Sequence, residues 1–142
     1  MLPNVLVVGA AKCGTTSLHE YLDRHPEIAM AREKELDFFV EQKNWSRGVD
    51  WYERQFAAAP VRGESSPSYT AYPRYRGVPE RIRRIVPDAK LVYLVRDPVE
   101  RALDVRRPGH VVRDELDALV GLGLQLLVVA AGVGEDDRSR RA

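Results

Sequence analysis

Three features of the sequence predict an α/β fold, a parallel sheet flanked by helices. Val5-Leu6-Val7-Val8 is an uninterrupted apolar run, the pattern of a strand covered on both faces. A small-residue turn from Gly9 to Gly14 follows, then an amphipathic segment from Thr15 to Arg24. Strand, glycine loop and helix in that order open an α/β domain. Far along the chain, Leu91-Val92-Tyr93-Leu94-Val95 supplies a second buried strand, with Arg96-Asp97-Pro98 at its C-terminal end.

The first helix carries Leu18, Tyr21 and Leu22 on one stripe and is stopped by His25-Pro26. Residues 28 to 60 are less regular, with Trp45, Trp51, Tyr52 and Phe56 forming an aromatic cluster and a helix expected from Trp51 to Ala59, ending at Pro60. Val61 to Glu64 reads as a weak strand, and Ser65-Ser66-Pro67-Ser68 as a turn. A short helix is expected from Pro79 to Val86, with Ile82, Ile85 and Val86 inward and Pro87-Asp88 closing it.

The character of the chain changes near Leu103. Arg106-Arg107-Pro108-Gly109 breaks any helix begun at Val99, and Leu119 to Gly134 is apolar except for Gln125. That run is shorter than the ~20 residues a membrane span needs, and four of its residues are glycine. A buried strand or helix is the favoured reading, with a charged, frayed end from Glu135 to Ala142. The organisation expected is therefore residues 1–104 as the main domain and 105–142 as a divergent tail.

Composition limits the function. A chain of 142 residues suits one domain, and 44% hydrophobic with 30% charged residues excludes a disordered or polytopic membrane protein. The net charge of +1 gives no bulk field for nucleic acid, so an anion must be caught by a local site. Cys13 is the single cysteine, which rules out an internal disulfide and fits a reducing compartment. The first residues show no secretory pattern. The chain reads as soluble and cytoplasmic, with no membrane span.

The strongest chemical signal is Gly9-Ala10-Ala11-Lys12-Cys13-Gly14-Thr15-Thr16-Ser17-Leu18. Small residues let the backbone approach a phosphate, and the helix that follows aims free N–H groups and the positive end of its dipole at it. Thr15, Thr16 and Ser17 add hydroxyls and Lys12 a point charge. The loop is P-loop-like, yet it departs from Gly-x4-Gly-Lys-[Ser/Thr]: the glycines keep the spacing while Thr15 occupies the lysine position and the lysine lies inside the loop.

Ala11 to Leu18 resembles the 5′-phosphosulfate loop of sulfotransferases that use 3′-phosphoadenosine 5′-phosphosulfate (PAPS), and Leu94-Val95-Arg96-Asp97-Pro98-Val99-Glu100-Arg101 resembles their 3′-phosphate segment. Between them, Glu33 to Phe39, Trp51-Tyr52, Gly63 to Tyr69 and Pro79 to Ile82 are similar to the branch holding the heparan sulfate sulfotransferases and their bacterial relatives. The resemblance runs over residues 4 to 102.

It implies transfer of a sulfuryl group from PAPS to a hydroxyl or amine acceptor, with carbohydrate suggested by the branch. Lys12 is then the cation beside the leaving phosphate, and Glu35 the base that takes the acceptor proton, with Glu33 or Asp37 as substitutes if the alignment slips. Lys12, Cys13, Gly14, Thr15 and Thr16 would hold the 5′ end of the donor, Cys13 through its backbone N–H, and Arg96 the 3′-phosphate by its guanidinium fork. No Cys/His cluster suggests a metal, and this chemistry calls for none.

Two departures bear on activity. By register, Asp104 stands where the family has a phosphate-binding serine, and a carboxylate ~4 Å from a phosphate costs about 4 kcal/mol at an effective dielectric near 20. Nothing after Leu103 resembles the rest of such a domain, so the fold reads as truncated on its C-terminal side, which would expose apolar surface and invite homo-oligomerisation. An inactive remnant or interaction protein is therefore the alternative. A P-loop phosphotransferase with Asp97 near magnesium comes third.

Overall fold

The computed structural model describes residues 1–96 and 125–130. Among these residues five strands form one sheet: β1 (Val5–Gly9), β2 (Ile28–Met30), β3 (Val61–Ser65), β4 (Lys90–Val95) and β5 (Gln125–Ala130). Their spatial order is β2-β3-β1-β4-β5 and all the pairings are parallel. Three helices lie between them, α1 (Thr15–Asp23), α2 (Val49–Glu53) and α3 (Val78–Ile85), with single 3-10 turns at Trp45–Arg47 and Pro67–Thr70. This is the α/β architecture that the strand, loop and helix pattern predicts.

β1 is central because its apolar run tolerates burial from both faces: Leu6, Val7 and Val8 are fully buried. β3 lies on one side of it, with Leu6 opposite Glu64, and β4 on the other, with Leu6 opposite Leu91. The chain thus leaves β1 toward β2 and β3, then returns to the far side for β4. That reversal places a crevice at the carboxyl ends of β1 and β4, where open α/β sheets bind ligands.

The polar positions of β3 explain why it looked weak in sequence. Arg62 donates from Nε to the Leu2 carbonyl at 2.9 Å and from its backbone N–H to Asn4 Oδ1 at 2.8 Å. Both groups are satisfied at the edge of the core, so a strand of mixed composition sits inside the sheet.

Three features differ from expectation, and in the apolar run from Leu119 the strand-or-helix reading resolves to a strand. β2 is only three residues long, too short to leave an alternating pattern, and is held by Ala31 N–H on the Gly63 carbonyl at 2.7 Å as well as by its ladder. α2 ends at Glu53 rather than Ala59. The segment before Pro60 disfavours helix, and Gln55 Nε2 instead folds back onto the Trp51 carbonyl at 2.8 Å. Tyr21 is 68% exposed, while Leu18 and Leu22 alone of their stripe pack on the core. Within the apolar run from Leu119, Gln125–Ala130 is a strand beside β4, so part of the segment beyond residue 104 extends the main sheet. Asp97, Val99, Asp104, the break at Arg106–Gly109 and the charged end lie outside the described residues.

An aromatic layer underlies the crevice. Phe38 stacks on Tyr52 with ring centroids 4.1 Å apart, Phe39 meets Tyr52 and Tyr69 edge-on, and Phe56 closes the far side of Tyr52. Phe38, Phe39, Tyr52 and Tyr69 are all essentially inaccessible to solvent. This layer fixes the segment Glu35–Val40 against β3.

Candidate functional site

The loop after β1 is held from both sides. Thr70 Oγ1 donates to the Val8 carbonyl and Ala10 N–H to the Leu94 carbonyl, each at 2.9 Å. Gly9 has no room for a side chain: a Cβ there would lie 2.7 Å from Tyr93 Cε2 and meet Thr70 Oγ1. Lys12 and Gly14 take positive φ values of 64° and 93°, which bend the chain into the start of α1.

The first bond of that helix runs from Leu18 N–H to the Gly14 carbonyl at 3.0 Å. The N–H groups of Thr15, Thr16 and Ser17 therefore precede the helical ladder. No side chain caps them and no acid stands in the first turn. Free donors and an uncompensated dipole end together make an anion site.

This helix terminus opens into a cleft of about 690 Å³, within the size range of small-molecule sites. Ala11, Lys12, Gly14, Thr15 and Thr16 line it from the end of β1, Lys34 and Glu35 from beyond β2, Pro67 and Ser68 from beyond β3, and Arg96 from the end of β4. Lys43, Ala71, Arg74 and Tyr75 complete the wall. Lys12, Lys34, Lys43, Arg74 and Arg96 thus face one carboxylate, Glu35, among the lining residues. The balance suits a ligand bearing more than one negative charge.

Of the residues singled out in sequence, Lys12, Gly14, Thr15, Thr16, Glu35 and Arg96 come together on this cleft. Cys13 does not. Its side chain is buried in the core, and its N–H donates to the Ala10 carbonyl at 3.2 Å. It braces the loop from behind.

The acidic segment separates in the same way. Glu35 is held by its N–H on the Ser65 carbonyl at 2.9 Å, with φ 62°, and its Oε1 lies 2.6 Å from Lys34 Nζ. Asp37, at φ 50°, is buried and ion-paired through Oδ2 to Lys43, while its Oδ1 has no hydrogen-bond partner. Glu33 is exposed and, like Asp37, is not part of the cleft wall. Only Glu35 of the three acids meets the space where an acceptor could sit.

The sequence did not reveal the buried acid of β3. Glu64 is inaccessible to solvent and accepts three hydroxyl bonds, from Tyr52 at 2.5 Å and Tyr69 at 2.6 Å on Oε1 and from Ser66 at 3.2 Å on Oε2. Burial pushes its carboxyl up from 4.5 to about 7, against the pull of those hydroxyls. Burial and the facing carboxylate drive the Tyr52 and Tyr69 hydroxyls well above the usual phenol range. The available signal was an acid inside a strand with a tyrosine five residues on. Lys34, Lys43, Ser68, Arg74 and Tyr75 were missed because they reach the cleft only through the tertiary fold.

Among the described residues no group of three or more His, Cys, Asp or Glu side chains is placed to hold a metal ion. No helix among them is long and apolar enough to cross a membrane.

Comparison with known proteins follows the same outline. The family model described as "Sulfotransferase domain" matches residues 2–103. A membrane-associated sulfotransferase (kil1) of Dictyostelium discoideum is 37% identical over 108 residues, covering 72% of this chain and 22% of its own length. Heparan sulfate glucosamine 3-O-sulfotransferase 5 of Mus musculus is 33% identical over 105 residues, covering 72% of this chain and 29% of its own. The chain thus spans less than a third of either relative. Among solved structures, a sulfotransferase from Alicyclobacillus acidocaldarius superposes with a TM-score of 0.74 at 26% identity, over 92% of this chain and 73% of that one.

Proposed function

The chain belongs to the sulfotransferase domain family, and from that premise we propose that it transfers a sulfuryl group from PAPS to a hydroxyl or amine of a carbohydrate. The observation that carries this reading is the single cleft in which an uncapped helix terminus, Lys12 and Arg96 meet one exposed carboxylate, Glu35. PAPS bears anionic groups at both its 5′ and 3′ ends, and cations at the two strand ends, Lys12 after β1 and Arg96 after β4, fit that division.

Bound there, PAPS supplies an activated sulfuryl group on a phosphate leaving group. The N–H groups of Thr15 and Thr16 and the ammonium of Lys12 orient the 5′ end and stabilise the charge that grows on its phosphate as the bond to sulfur breaks. Arg96 anchors the 3′ end. Glu35 accepts the proton of the acceptor hydroxyl or amine. A carbohydrate acceptor is supported by the named substrate of the heparan sulfate relative and by the polar wall of Lys43, Ser68 and Arg74.

Titration calorimetry with 3′-phosphoadenosine 5′-phosphate tests the site directly, with saturable binding expected in the native chain and its loss in Lys12→Ala. Transfer of labelled sulfate from PAPS to heparan sulfate tests the reaction, with Glu35→Gln expected to bind nucleotide normally and turn over ~10²-fold or more slowly. Absence of nucleotide binding at millimolar concentration refutes the reading.

A further inference from the structure

We propose that Glu64 is a positioning residue for Glu35, acting through the hydroxyls of Ser66 and Tyr69; the role rests on the reading of Glu35 as the acceptor base. A carboxylate has no proton to give, so each hydroxyl that meets Glu64 must donate to it. Tyr52, Tyr69 and Ser66 all spend their protons this way. Their oxygens are then left as acceptors with a defined direction.

Two of those oxygens receive backbone N–H groups of the base segment. Ser66 Oγ accepts Asp37 N–H at 3.1 Å, and Tyr69 Oη accepts Phe39 N–H at 3.4 Å. Glu35 itself is tied to the Ser65 carbonyl, one residue from Glu64. Glu35 and Asp37 both stand at positive φ, at 62° and 50°, a conformation that a residue with a Cβ keeps only where its surroundings hold it. The hydroxyls directed by Glu64 hold it at Asp37, and the Ser65 carbonyl next to Glu64 holds it at Glu35. The carboxylate thus sets the backbone of a loop it does not belong to, while the nucleotide end of the cleft is built from other residues.

The groups around Glu64 are few. Tyr52 comes from α2, Ser66 and Tyr69 from the turn after β3, uncharged Leu6 lies opposite on β1, and Asp37, whose charge is met by Lys43, comes from the base segment. Protonated Glu64 would donate a hydrogen bond to one neighbouring hydroxyl and turn that hydroxyl's own proton elsewhere, so loop order is expected to decline as pH falls through about 7.

Glu64→Gln keeps the shape and abolishes the charge. The expected result is at least roughly tenfold faster hydrogen exchange at the Asp37 and Phe39 amides with no change in β1 and β4, a dissociation constant for 3′-phosphoadenosine 5′-phosphate within about threefold of wild type, and a roughly tenfold lower kcat for labelled transfer to heparan sulfate at nearly constant donor KM. Wild-type kcat is expected to fall as pH drops below about 7, and that fall is expected to flatten in the variant. Ser66→Ala, which withdraws the Asp37 acceptor and one of the three donors to Glu64 but leaves its charge and both tyrosines in place, provides the second arm and is expected to release the Asp37 amide and slow turnover less. Unchanged exchange at Asp37 in both variants, or a uniform rise across β1 and β4, overturns the proposal. If Glu64→Gln turns over at the wild-type rate while Glu35→Gln is inactive, positioning is refuted and the base survives. If Glu35→Gln keeps full activity, the base reading fails and takes the positioning role with it.

Discussion

Lys12 and Gly14 stand two residues apart in the left-handed region, at φ 64° and 93°, and only one of them is a glycine. A Cβ added at Gly14 would meet nothing within 4 Å, so an added methyl there would suffer from backbone conformation alone. Gly9 is the opposite case, where the space is already filled by Thr70 and Tyr93. Gly14→Ala is expected to cost about 1–2 kcal/mol through φ, and Gly9→Ala about 1–3 kcal/mol through overpacking. Urea unfolding measures both. Because Gly9 carries the register between β1 and β4, its variant is expected to lose nucleotide binding as well, whereas Gly14→Ala weakens it.

Lys12 holds an unfavourable backbone for a residue with a Cβ, which is a sign that its side chain is wanted at that spot. Lys12→Gly removes the strain and the charge together. The relief is offset by the entropy of the added glycine, roughly 0.5–1 kcal/mol, so the melting temperature is expected to stay at or slightly above that of wild type. Turnover is expected to fall ~10²-fold or more, the scale of removing a group that stabilises transition-state charge. A variant that loses stability and activity in parallel contradicts the assignment.

The cleft gathers Lys12, Lys34, Lys43, Arg74 and Arg96 around Glu35. Much of that field is open to solvent and is screened over about 10 Å at 0.1 M salt, falling to about 3 Å at 1 M. Binding of 3′-phosphoadenosine 5′-phosphate is therefore expected to weaken severalfold between low and high salt. Arg74→Ala, distant in sequence from both donor-binding ends, is expected to reduce that slope and to raise KM for a polyanionic acceptor more than for the donor. Kinetics at two ionic strengths read out both effects.

The loop and the central strand were legible because their signals are local. Val5 to Val8 is apolar without interruption, and Gly14 followed by three hydroxyl residues marks a helix terminus whether or not the rest of the fold is known. Arg96 was legible for a similar reason, as a cation at the end of a buried run. Lys43 and Arg74 were not, because nothing in their neighbourhoods distinguishes a cleft-lining cation from a solvated one until the elements around them are placed. Cys13 misled, since its position inside the loop suggests contact with a ligand while its N–H closes the turn on Ala10. Glu64 left only a faint signal, the tyrosine five residues on: an acid in a strand becomes a buried one only when Tyr52 and Tyr69, from two other elements, arrive to receive it.

That burial has a consequence for stability with a definite sign. The Glu64 carboxyl has a raised pKa in the folded chain, about 7 against 4.5, so between these values the folded state holds a proton that the unfolded state releases. Stability from this group is fully present below about 4.5, declines as pH rises, and is lost by about 7. The difference amounts to roughly 3 kcal/mol at 1.36 kcal/mol per unit. Glu64→Gln has no proton to lose and is expected to lack this component. Urea midpoints of the two proteins at pH 5 and pH 8 isolate it, because every other titrating group contributes to both. The wild type is expected to lose roughly 2 to 2.5 kcal/mol more than the variant over that interval, since part of the component is already gone at pH 5, and equal losses would mean that Glu64 is ionised in the fold at far lower pH than its burial implies.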